Sequence, residues 1–188
     1  MATSTHDAHS TTAGSGWSTR RIAVTALFCA LSLITSFIEI PIFPPAPWLE
    51  YDPSCVVALV AGLAFGPATG AIVVVLSWLV HLVFQFSPWG VLMAIAANAS
   101  LVVPCSLIAR KLGGKRGLVA GMAVGAAISL AVCIVMNLIV TPLYTAVTVD
   151  AVVAMILPIL VPFNVLKLAL NCVLTALVQG PVSKALAG

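Results

Sequence analysis

Six apolar runs, at 21–40, 54–66, 68–86, 89–110, 117–146 and 153–184, leave this chain little choice of environment. A helix needs about 20 apolar residues to cross a hydrocarbon core roughly 30 Å thick. Only 7% of the 188 residues are charged, against roughly 25% in a soluble domain. The pattern predicts an all-α integral membrane protein, a six-transmembrane-helix bundle over 19–188. Residues 1–18, rich in Ser, Thr, Ala, His and Gly, are expected to form a disordered cytoplasmic tail. The run at 54–66 is short and ends at a Gly66-Pro67 break, whereas the last two runs exceed the need and predict tilting or extension beyond the bilayer. No A-x-A cleavage site follows Arg20-Arg21 and the first run, so that run reads as a membrane helix rather than a leader.

Charge placement predicts the orientation. Of the eight basic residues, Arg20, Arg21, Arg110, Lys111, Lys115, Arg116 and Lys184 flank the runs on one side. Glu50, Asp52 and Asp150 lie in loops on the other side, with Glu39 at the end of the first run. The positive-inside rule then places both termini in the cytoplasm.

Several function classes drop out. No basic face or aromatic-interleaved module is available for nucleic acid. The five cysteines (Cys29, Cys55, Cys105, Cys133, Cys172) are scattered in or beside apolar runs without metal-ligand spacing, and no H-E-x-x-H occurs. No metal site or resident cofactor is expected. A P-loop is absent, as is any Ser-His-acid or paired-carboxylate arrangement within the runs. The chain reads as a binder with no means of its own to power transport, and not as an enzyme.

The exception to the apolar pattern is Lys167. A charge at bilayer depth costs about 2.5–3.5 kcal/mol on insertion scales, which makes it a functional-site candidate. Asn164, Lys167 and Asn171 fall at i, i+3 and i+7, on one helical face. A snorkelling lysine is the alternative. Read as an isolated charge, Lys167 is expected to serve ligand binding rather than folding. Asn137, Thr141 and Tyr144 share a face of the fifth run; Trp78, His81 and Gln85 share one in the third; Asn98 sits among alanines in the fourth. Unpaired polar groups in hydrocarbon are costly, so these residues either join helices by hydrogen bonds or contact a ligand. For Asn137 and Lys167 the ligand reading is favoured; for Asn98 and His81 both stand.

The loop at 41–51 contains four prolines, then Trp48, Glu50 and Tyr51. Stiff backbone and flat aromatics suit a lid over an outward-facing pocket, or an interfacial anchor. Small residues recur at helix-packing spacing: Ala26 and Ala30; Gly62, Gly66 and Gly70; Gly117, Gly121 and Gly125.

Four segments carry a family resemblance covering most of 19–186: Leu49 to Ser54 (LEYDPS), Phe65 to Gly70 (FGPATG), Asn137 to Tyr144 (NLIVTPLY) and Pro162 to Lys167 (PFNVLK). With these, the chain resembles the substrate-binding S components of energy-coupling-factor (ECF) vitamin transporters, most closely the riboflavin-specific branch. The resemblance implies a six-helix bundle of a prokaryotic plasma membrane that captures riboflavin, or a related flavin, from outside for ATP-driven uptake. It implies partnership with an ECF module of one transmembrane T component and two ATPase subunits. Asn137 and Lys167 would bond the flavin's polar ring edge; Asn164, Tyr144, Asn98, His81, Trp48 and Tyr51, singled out above or on the same polar faces, are the further candidate substrate contacts. Ala26 and Ala30 would dock on the T component. An S component for another vitamin and a standalone carrier of a different solute remain the alternatives.

Overall fold

A computed structural model describes residues 17–44, 46 and 49–187. Of the expected tail, 1–18, residues 1–16 lie outside the described residues, as does the expected contact Trp48, while Trp17 packs under the Arg21 guanidinium and Ser18 caps the first helix. Seven α-helices account for most of the rest: α1 (Thr19–Ser36), α2 (Ser54–Phe65), α3 (Pro67–Phe84), α4 (Pro88–Leu112), α5 (Gly114–Tyr144), α6 (Val149–Met155) and α7 (Val161–Ala187). Five helical segments are long and apolar enough to cross a membrane, the last of them running from α6 through α7; α2 is a shorter apolar helix. The α5 helix, with 31 residues, is about 46 Å long at 1.5 Å per residue, which outruns a single hydrocarbon core.

Local chemistry sets the boundaries. Ser18 caps α1 by accepting from the Arg21 amide. Gly66 takes φ +106° between α2 and α3, where a Cβ would meet the Arg110 guanidinium, and Pro67 starts α3 as an N-terminal proline should. The last expected run, 153–184, is not one uniform helix. A π-helical turn at Ile156–Leu160 separates α6 from α7. Pro158 falls within that turn; it has no amide hydrogen, and a local π adjustment is one way an apolar helix accommodates the loss.

Small residues let the helices touch. The α4–α5 seam is the closest: a Cβ on Gly117, Gly121 or Gly125 would lie 2.5–2.8 Å from the carbonyl oxygens of Ala109, Cys105 and Leu101 respectively. Gly70 and Gly62 make a similar approach between α3 and α2. Buried hydroxyls then bridge helices, as where Ser32 of α1 donates to Ser77 of α3 (3.1 Å) and Ser129 of α5 donates to the Ala97 carbonyl of α4 (2.8 Å).

The bundle has two chemically distinct ends. At one, Arg21 and Arg110 both donate to the Phe65 carbonyl in the α2–α3 turn (3.1 and 3.4 Å), and Arg21 also reaches Thr69. At the other, a two-residue antiparallel ladder, β1 (Ile40–Pro41) with β2 (Glu50–Tyr51), closes the long loop between α1 and α2. Beneath it a second small core forms from Ala46, Leu49, Val152, Leu160 and Phe163.

Candidate functional site

A cavity of about 320 Å³ opens at the ladder end, within the range typical of small-molecule sites. Its apolar wall comes from Leu49, Val91, Met93, Ala94, Ala97 and Phe163, and its polar wall includes His81, Asn137, Tyr144, Asn164 and Lys167. Three separate helices, α3, α5 and α7, thus bring five of the residues expected from sequence to one place. Around it lie three carboxylates: Glu39, Glu50 and Asp52.

Lys167 is not an isolated charge. Its Nζ lies 3.0 Å from Asp52 Oδ2 and 3.4 Å from the Glu50 carbonyl. Both side chains of the pair are largely buried, 14% and 5% exposed. Asp52 is fixed in turn by Ser54, whose amide and hydroxyl donate to its other oxygen. This is an Asx turn at the start of α2, where a negative charge also complements the helix dipole. The expectation that Asp52 is a plain loop acid is corrected here. A buried ammonium requires a counter-ion, and Asp52 supplies it while leaving Lys167 on the cavity wall.

Asn137 keeps its bonds within α5: its Nδ2 donates to the Cys133 carbonyl (2.8 Å) and its Oδ1 accepts from Thr141 (3.0 Å). An amide has two N–H groups and two acceptor lone pairs, so half its capacity is free for the cavity. Asn164 similarly donates to the Leu160 carbonyl of the π turn (2.8 Å). His81 accepts or donates through Nδ1 to Ser36 (2.7 Å), places Nε2 3.8 Å from Glu39 Oε1, and stacks against Phe37. Trp78 lies beside it, and its buried indole N–H has no hydrogen-bond partner among the described residues.

Two expected substrate contacts, Tyr51 and Asn98, do not line this cavity, and the expected docking pair lies apart from it. Tyr51 does not line this cavity; it is buried, and its hydroxyl donates to Asn171 (3.3 Å), tying β2 to α7. Asn98 lines a separate gap of about 10 Å³ with Asn164, Lys167 and Asn171, its Nδ2 unpartnered. Ala26 and Ala30 are exposed on α1 and line an apolar groove of about 450 Å³ against Ile72, Leu76 and Val80 of α3. Sequence reasoning missed the cavity roles of Glu39, Glu50 and Asp52. The usable signal was the charge balance: one lysine deep in apolar sequence, and only five acids in the chain to match it.

The family model described as "ECF transporter, substrate-specific component" matches residues 20–179. No curated protein matches the chain significantly. Among solved structures, one described as the S component of a bacterial ECF transporter superposes with a TM-score of 0.78 at 25% identity, covering 89% of this chain and 97% of the other.

Proposed function

The chain belongs to the family of ECF transporter substrate-specific components, and from that premise we propose that it captures riboflavin or a close flavin relative in the ladder-end cavity. Membership makes it a substrate-binding, multi-pass membrane subunit rather than an enzyme; such components work with an ECF module of T and ATPase subunits. The flavin assignment rests chiefly on one observation: Asn137, Asn164 and Lys167 converge on a cavity that also has an apolar wall of Leu49, Val91, Met93, Ala94, Ala97 and Phe163. A planar heterocycle with a polar edge matches that division. Lys167 donates to ring carbonyls, Asn137 donates and accepts along an imide edge, and the ring faces meet Leu49, Val91 and Phe163. The six-span topology with cytoplasmic termini belongs to the same proposal, supported by the clustering of Arg20, Arg21, Arg110, Lys111, Lys115, Arg116 and Lys184 away from the cavity. A location in a prokaryotic plasma membrane is part of the same proposal.

Purified protein is expected to carry a flavin absorption band, or to acquire one stoichiometrically on titration. Asn137→Leu should weaken that binding by about 0.5–1.5 kcal/mol per lost neutral hydrogen bond, read as up to roughly tenfold in Kd. Colourless protein that ignores added riboflavin would reject the flavin assignment and leave the membership intact.

The exposed alanines carry the docking half of the proposal. Replacing Ala26 and Ala30 together by Leu fills the α1–α3 groove, whose lining shares no residue with the cavity. Ligand titration should be unchanged, while uptake in cells expressing the T and ATPase subunits should fall to background. Normal uptake by the double variant would move the docking surface elsewhere.

A further inference from the structure

The charges around the cavity bear on which form of the ligand it accepts, an inference that rests on the flavin reading above. Its titratable lining is Glu39, Glu50, Asp52, His81, Tyr144, Cys133 and Lys167. The Lys167 ammonium is already matched by Asp52 at 3.0 Å. Glu39 and Glu50 therefore stand in excess, and the lining remains net negative even when His81 is protonated. The β1–β2 ladder enforces their proximity. Ile40 pairs with Tyr51 and Pro41 with Glu50, so by that register Glu39, the residue before β1, falls opposite Asp52 and diagonal to Glu50 on the same face of the ladder. Partial burial and the neighbouring Glu39 carboxylate raise the Glu50 carboxyl above its ordinary range.

Two further groups point to a ligand here rather than to a solvated acidic rim. Trp78, 6% exposed, lines the same cavity with an indole N–H that finds no protein partner. Asn164, 4% exposed, spends one amide hydrogen on Leu160 and none of its other capacity on any protein group among the described hydrogen bonds. Carboxylates at the rim of such a site are acceptors only, so they suit hydroxyl donors. A phosphate monoester carries about −1.5 to −2 charge at neutral pH and would face them where the lysine among the described lining residues, Lys167, is already matched by Asp52.

We propose that Glu39 and Glu50 are specificity-determining residues that accept from the hydroxyl-bearing end of an uncharged ligand and exclude its phosphorylated form. The cavity takes the free vitamin and refuses its phosphate ester.

The test uses the full chain in detergent, titrated by flavin fluorescence with riboflavin and with riboflavin 5′-phosphate, at low and at high salt. Like-charge juxtaposition at a binding site carries a large penalty, so riboflavin should bind on the order of a hundredfold tighter at low salt. The gap should shrink with added salt. In Glu39→Gln/Glu50→Gln, which retains acceptor oxygens, it should fall to about tenfold or less, because the like-charge contribution is removed. Glu50→Lys should narrow it further by raising affinity for the ester. Equal affinities in the parent, or an undiminished gap in both variants, overturn the proposal while leaving the flavin reading in place. Failure of riboflavin itself to bind overturns both.

Discussion

Lys167→Met is expected to lower folded stability and ligand affinity together, by separable amounts. The lysine ammonium and Asp52 carboxylate form a largely buried pair. Removing one partner of such a pair costs about 3–5 kcal/mol, since the other charge remains in a poor environment. That is a substantial share of the 5–15 kcal/mol that holds a typical domain together. The lost charged contact to ligand adds about 1.5–3 kcal/mol to the binding deficit. Asp52→Asn combined with Lys167→Met removes both charges and should recover most of the melting temperature. It should not recover binding, which stays weakened by tenfold to a hundredfold or so. Thermal melting in detergent beside ligand titration distinguishes the two effects. A single variant that melts like the parent would mean the pair is solvated, and a double variant that binds like the parent would remove Lys167 from the ligand's contacts.

Asp52 also explains why the site was only partly legible in the sequence. Periodicity places Asn137 with Thr141, and Asn164 with Lys167, because a helix fixes i, i+3 and i+4 relations locally. It carries no information on which helices meet. The approach of the α1–α2 loop to α7, a separation of more than 100 residues, depends on the ladder and on the small core around Val152, Leu160 and Phe163. Without that contact Lys167 reads as a lone charge whose loss should spare folding, and Asp52 as a loop acid. Tyr51 shows the same limit in reverse. An aromatic in a proline-rich loop looks like a ligand contact, but its ring is buried and its hydroxyl is held by Asn171.

The membrane class was plain because it depends on length and composition alone. Break positions at Gly66-Pro67 and Ser87-Pro88 were similarly accessible, since proline and glycine act on their own backbone. The π turn before α7 was not. Pro158 announces a perturbation, but a kink, a break and a π turn all answer it, and packing of Leu160 against Phe163 and Leu49 accompanies the outcome seen here.

Gly121→Val should be the most damaging single change away from the cavity. A Cβ at Gly121 would sit 2.5 Å from the Cys105 carbonyl oxygen, 3.2 Å from the Ala109 nitrogen and 3.3 Å from the Cys105 carbonyl carbon, all backbone atoms of α4. No rotamer change relieves a clash with backbone. Gly117 and Gly125 make the same approach one turn to either side, so α5 cannot pivot about Gly121 without opening the whole seam. Overpacking typically costs about 1–3 kcal/mol and sometimes more, and here the upper end is expected. The consequence extends to the ligand. The cavity takes Met93, Ala94 and Ala97 from α4 and Cys133, Asn137 and Tyr144 from α5, so separating these helices widens the slot between its apolar and polar walls. Gly121→Val should therefore melt several degrees lower, with weakened ligand binding in the protein that still folds. Gly180→Ala is the matched control: a Cβ there meets nothing within 4 Å, and replacing a helical glycine by alanine stabilises by about 0.5–1 kcal/mol. Equal melting temperatures for the two variants would mean that α4 and α5 do not touch through their glycines, and that the cavity walls are held together by something other than this seam.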